Sequence, residues 1–159
     1  MNSFKRILVA VDLDEPASWE ECLPIAQKLA ACFDGRITIC SVADDAEALA
    51  KGRWWAMSYE EIVTKKHAEL DALRSGLHSD IAIDVEVGTG DICTGVADVA
   101  ARTGADLIIL SEHQHNIARY FMDSKAERIA QKTSCSILMV KNAEQSERIS
   151  SGLRVSGTT

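Results

Sequence analysis

The chain has 159 residues, enough for one ordinary domain, with 17 basic against 24 acidic side chains and a formal net charge of −7. Apolar residues make up 47% and charged residues 26%, globular values that exclude a wholly disordered or collagen-like chain. A surface this acidic repels phosphate backbones, and no apolar run nears the roughly 18 residues of a membrane span, so neither nucleic acid nor a membrane is an expected partner. The opening Met1-Asn2-Ser3-Phe4-Lys5-Arg6 lacks the apolar core of a signal peptide, so a soluble intracellular protein is expected. Cys22, Cys32, Cys40, Cys93 and Cys135 form no CxxC pair, and their odd number suits reduced thiols that pack as small hydrophobes.

The first strand is predicted at Ile7 to Val11 (ILVAV), apolar throughout as a strand covered on both faces would be. Trp19, Cys22, Ala26, Leu29, Ala30 and Phe33 then recur at helical steps. Ser18 with Glu21 has the form of a capping box, and Gly35 stands where a left-handed cap belongs. Pro24 lacks the amide for an internal helical bond, which predicts a kink or a later start. The second strand is Ile37 to Val42 (ITICSV), followed by a helix with Ile62, Val63, Leu70, Leu73 and Leu77 and a second capping box at Ser58 and Glu61. In the third strand, Ile81 to Val87, apolar residues alternate with Ala82, Asp84 and Glu86, so one face is wetter. Asp91 suits the N-cap of a third helix with Ile92, Val96, Val99 and Ala100 inward and Gly104 at its end. The fourth strand is Leu107 to Leu110. A helix beginning near residue 117 or 121 and ending at Lys132 buries Met122, Ala126 and Ile129, and the last strand is Ile137 to Val140. Residues 142–159 are polar and Ser-rich and read as a mobile tail, which leaves 1–141 as a single domain.

Strands alternating with helices imply right-handed crossovers and a five-stranded parallel sheet, the α/β three-layer sandwich. Functional groups in such a sheet gather at the carboxyl ends of its strands, here loops 12–17, 43–56, 88–91 and 111–120. In the first loop Asp12 is placed to accept from a ribose or an adenine amino group, or to cap the turn that follows. In the third, Gly88-Thr89-Gly90-Asp91 either lets a ligand approach the backbone and a helix N-terminus, or simply forms a tight turn. Trp54 and Trp55, beside Lys51 and Arg53, suit base stacking or, more simply, a lid over the core.

The fourth loop reads Ser111-Glu112-His113-Gln114-His115-Asn116 and continues to Asp123-Ser124. Together with KRILVAVD (Lys5–Asp12), VGTGD (Val87–Asp91), GADLIIL (Gly104–Leu110) and the final strand after Lys132, it makes residues 4–141 resemble the universal stress protein A family. The resemblance implies a Rossmann-like fold and, in nucleotide-binding members, a G-2x-G-9x-G-[S/T] signature after the fourth strand. Its glycine positions fall near Ser111 and Gln114 and at Asp123, with the loop one residue short, and Ser124 alone survives. No glycine occurs between 105 and 151. Strong ATP binding is therefore not expected and no cofactor is expected, although Asp12, Val42, Gly90 and Ser124 match positions that leave weak adenosine or AMP binding open.

Glu112, His113 and His115 are potential zinc donors, but histidines two apart on a loop rarely converge unaided, and no metal site is expected. GxSxG and paired Cys-His patterns are missing, so no catalytic residue is assigned and a small hydrolase is the least favoured reading. The final strand is expected at the sheet edge. Family members dimerise through this strand, which implies a homodimer with Ile137, Leu138, Met139 and Val140 at the interface. The resemblance implies a cytoplasmic, non-enzymatic stress protein acting through an unidentified protein partner, with a nucleotide-binding signalling module as the alternative.

Overall fold

Five strands pair in parallel in the order β3-β2-β1-β4-β5, formed by Arg6–Ala10 (β1), Arg36–Ala43 (β2), Ile83–Thr89 (β3), Leu107–Glu112 (β4) and Ser136–Lys141 (β5). The structure is a computed structural model and describes residues 3–44, 58–112 and 125–141. The predicted tail, Trp54, Trp55, Met122 and the start of the fourth predicted helix lie outside the described residues. Between the strands run α1 (Ala17–Glu20), α2 (Cys22–Phe33), α3 (Tyr59–Ser75), α4 (Ile92–Thr103) and α5 (Lys125–Lys132).

The sheet alternation builds two cores, one on each face. Ile7, Val9, Ile37 and Ile39 meet Cys22, Ala26 and Ala30 of α2 and Leu70 of α3. On the opposite face Leu8, Cys40, Val42 and Ile108 meet Val96, Val99 and Ala100 of α4 and Ile129 of α5. Each fully buried aliphatic side chain contributes about 1.5–3 kcal/mol, so these central strands anchor everything mounted on their ends. Both β3 and β5 are edges; the edge position of β5 matches the expectation, and that of β3 emerges only from the strand order.

Four local expectations change. The first helix divides at Glu21 into α1 and α2, and Pro24 falls in the first turn of α2, where an amide has no internal partner anyway. Ser18 caps no helix: Pro16 precedes α1, and the Ser18 hydroxyl turns to the backbone of Asp12. The left-handed residue after α2 is Asp34 (φ 53°), not Gly35. Gly35 is needed for another reason, because a Cβ there would lie 3.0 Å from the carbonyl oxygens of Phe4 and Lys5. Strand β3 begins at Ile83 and runs on through Gly88 and Thr89, which pair with Val42 and Ala43. The third loop therefore shrinks to Gly90-Asp91.

The remaining caps form as predicted. Ser58 and Glu61 make the reciprocal capping box of α3, Asp91 caps α4, and Gly104 ends it at φ 64°.

Candidate functional site

The carboxyl ends of β1, β2, β3 and β4 open toward one rim, and each presents an acidic residue. Asp12 follows β1, Asp44 follows β2, Asp91 stands two residues beyond the end of β3, and Glu112 is the last residue of β4. Sequence reasoning passes over Asp44; its place immediately after the apolar run of β2 is the signal that finds it.

Asp12 is exposed, and its geometry is that of a turn. Its Oδ1 accepts from the Asp14 amide at 3.0 Å, and its carbonyl accepts from Glu15 at 2.9 Å. The Asp12 amide donates to Ser18 Oγ at 2.9 Å, while that hydroxyl donates back to the Asp12 carbonyl at 3.0 Å. Ser18 is 4% exposed, so this reciprocal pair is shielded from water and fixes where β1 ends.

Val42 is buried, its methyl groups pressed into the space left by two glycines. A Cβ on Gly88 would lie 2.9 Å from the Gly95 carbonyl oxygen, and one on Gly95 would lie 2.7 Å from a Val42 methyl. The close approach draws the N-terminal turns of α4 against β2 and β3. Gly90, at φ 89° with open space beside it, makes the turn between strand and helix.

At that helix the expected welcome for an anion is already taken. Asp91 Oδ1 accepts from the amides of Cys93 at 3.1 Å and Thr94 at 3.2 Å. Hydrogen bonds from Thr94, through its side chain first and its amide next, hold the Asp91 carboxyl below its ordinary value. Arg128 of α5 stands 3.9 Å away. An incoming phosphate would meet a carboxylate where two donors would otherwise be open.

Asp12, Val42 and Gly90 thus gather at the same end of neighbouring strands. Ser124, Gln114, Asp123, His113 and His115 lie outside the described residues. Ser111 sits within β4, in register with Val140. Among the described residues no group of three acidic, histidine or cysteine side chains is placed to hold a metal, and no helix is long and apolar enough to cross a membrane.

All five cysteines are free, with Cys22, Cys40 and Cys93 buried. Burial pushes the Cys40 thiol up to about 12, reinforced by Glu86, and the Cys22 thiol up to about 11, reinforced by Glu21. Both therefore stay protonated at neutral pH. At the far edge of the sheet, Ile137 and Met139 are half-buried, Val140 is buried, and Leu138 is 36% exposed.

The sequence profile described as "Universal stress protein family" matches residues 3–141. No curated protein matches the chain. Among solved structures, a universal stress protein in complex with cAMP is similar at a TM-score of 0.60 and 15% identity, covering 89% of this chain and 100% of that one. The UspA universal stress protein of Lactobacillus plantarum is similar at 0.61 and 19%, covering 88% and 99%. An Arabidopsis thaliana universal stress family protein with AMP bound is similar at 0.56 and 13%, covering 89% and 94%.

Proposed function

Because the chain belongs to the universal stress protein family, we propose that it is a non-enzymatic, homodimeric cytoplasmic stress-response protein that acts through protein contacts and does not hold ATP tightly. The observation that carries this reading is the ring of carboxylates: Asp12, Asp44, Asp91 and Glu112 mark four neighbouring strand ends. A carboxylate about 4 Å from a phosphate oxygen opposes it by roughly 1 kcal/mol in water, and by several times that where water is excluded. The glycines that would turn backbone amides toward a triphosphate are absent from residues 105–151.

The second reading is a nucleotide-binding signalling module of the same fold. It is supported by the cAMP and AMP named for two of the similar structures. Asp12, Val42 and Gly90 would meet the nucleoside, with Ser124 at the phosphate. A single phosphate suffers less repulsion at this rim than three.

Calorimetric titration of the purified protein with ATP, AMP and cyclic AMP separates the two, with the protein also denatured to release any co-purified nucleotide. The contact-protein reading expects no heat with ATP below about 1 mM and no released nucleotide. Micromolar binding of any of the three gives the function to the second reading. Replacing Ser111, Gln114 and Asp123 by glycine should raise ATP affinity; a folded triple variant with unchanged affinity would refute the assignment of the loop. Turnover of ATP or a model ester that Ser124→Ala abolishes would return the protein to the enzymes.

A further inference from the structure

We propose that a trough at the opposite, amino-terminal end of the sheet is a second ligand site, built to take a compact oxyanion through Arg6 and Arg36. Helix α4 covers the carboxyl-terminal part of β2 and β3 but ends at Thr103. At the amino-terminal part of these strands lies a trough of about 640 Å³, whose walls include Arg6, Arg36, Thr38, Asp84, Glu86 and Thr103 and, from α3, His67, Asp71 and Arg74.

Arg6 and Arg36 are directly in register on β1 and β2, so their side chains leave the same face of the sheet. Like charges opposite one another on paired strands are destabilising, and a bound anion between them reverses the sign of that interaction. The neighbouring carboxylates are largely committed. Asp84 takes Arg36 at 3.0 Å, Glu86 takes Arg102 at 3.0 Å, and Asp71 takes Arg74 at 2.6 Å with His67 at 3.1 Å. Asp106 accepts from the backbone amides of Lys5 and Arg6 at 3.0–3.2 Å.

Among the described residues the Arg6 guanidinium has no carboxylate partner. It is nevertheless positioned: its Nη1 stands 2.6 Å from where a Cβ of Gly104 would be, so this glycine provides the space into which Arg6 lies at the end of α4. An exposed guanidinium there offers its fork of donors to a phosphate or carboxylate, with Arg36 beside it and Thr38 lining the same trough. The trough lies at the other end of the strands from Asp12, Val42 and Gly90, so occupancy of one does not require the other.

The test is an amide-resolved NMR titration of the full chain with inorganic phosphate and, separately, citrate, at ionic strength held constant with sodium chloride. The proposal expects saturable shifts centred on residues 6, 36–38 and 103–106. Phosphate saturating without citrate assigns a phosphate ligand, and the reverse assigns a carboxylate. Arg6→Ala should weaken binding roughly tenfold. Asp84→Asn frees Arg36 and should tighten it a few-fold. Arg6→Lys keeps charge but loses the fork, and stands in should the alanine variant not fold. Shifts that scatter, fail to saturate, or survive both Arg6 variants would overturn the proposal.

Discussion

Ser18 and Asp12 hold each other by two reciprocal hydrogen bonds, amide to hydroxyl at 2.9 Å and hydroxyl to carbonyl at 3.0 Å. The pair closes the loop that leaves β1, where the Asp12 side chain accepts from the Asp14 amide. Ser18→Ala removes both bonds at a part-buried position, leaving the Asp12 amide without that partner. The expected cost is about 1–3 kcal/mol, read as a lower urea midpoint with an unchanged slope. A midpoint equal to that of the parent would mean water replaces the hydroxyl and the loop does not depend on it.

Gly95 is the tightest point beneath the rim. A methyl group there would meet Val42 methyls at 2.7 and 2.8 Å and the Thr89 carbonyl oxygen at 3.2 Å. Gly95→Ala should destabilise by about 1–3 kcal/mol through overpacking, despite the better helix propensity of alanine. Adding Val42→Ala should recover part of the loss, since both contacts under 3 Å come from that side chain. Thermal unfolding of the three variants checks the coupling, and strictly additive losses would contradict it.

These two contacts also mark how far the sequence could be read. The alternation of apolar strands and helical stripes predicts every sheet strand, and Ser58, Glu61, Asp91 and Gly104 announce their caps because their chemistry is local. Ser18 misleads because S-x-x-E describes a capping box only where a helix begins, and its buried hydroxyl instead meets a strand end six residues back. Gly88 reads as a loop glycine, yet it lies within β3, and only the approach of Gly95 across space explains it. Asp34 takes the left-handed position, while Gly35 is required by the nearby backbone of residues 4 and 5, a contact no local pattern carries. At the rim, Asp12 and Gly90 are legible from their places after strands. The ring of four carboxylates emerges only once parallel pairing brings the strand ends together.

Asp91 sets a pH dependence whose direction follows from its depressed pKa. The folded carboxyl lies below its unfolded value of about 3.9, so its contribution is fully present above that value and fades as pH falls through the folded one. Asp91→Asn keeps the capping acceptor but carries no charge to titrate. Melting temperatures of the two proteins should therefore differ most at neutral pH and converge as the solution is acidified below pH 4. A gap that stays constant from neutral to acid would show that the charge at this helix end does not contribute.

Leu138 supplies the test of the proposed dimer. It lies in β5, paired through Ile109 to β4 on one side and with a free edge on the other. At 36% exposure it is the large exposed hydrophobic among the described residues. A two-fold axis along this edge would pair the strand with its own copy and cover Leu138 twice, since both subunits contribute the same patch. Leu138→Asp would then place two carboxylates in the covered interface, where neither can be well solvated. Because the parent side chain is already partly exposed in one subunit, the fold of each chain should survive the change. Sedimentation should show the parent at twice the chain mass and the variant at the single mass, with an unchanged far-ultraviolet circular dichroism spectrum. A parent that sediments as a monomer, or a variant that keeps the doubled mass, would move the contact away from β5.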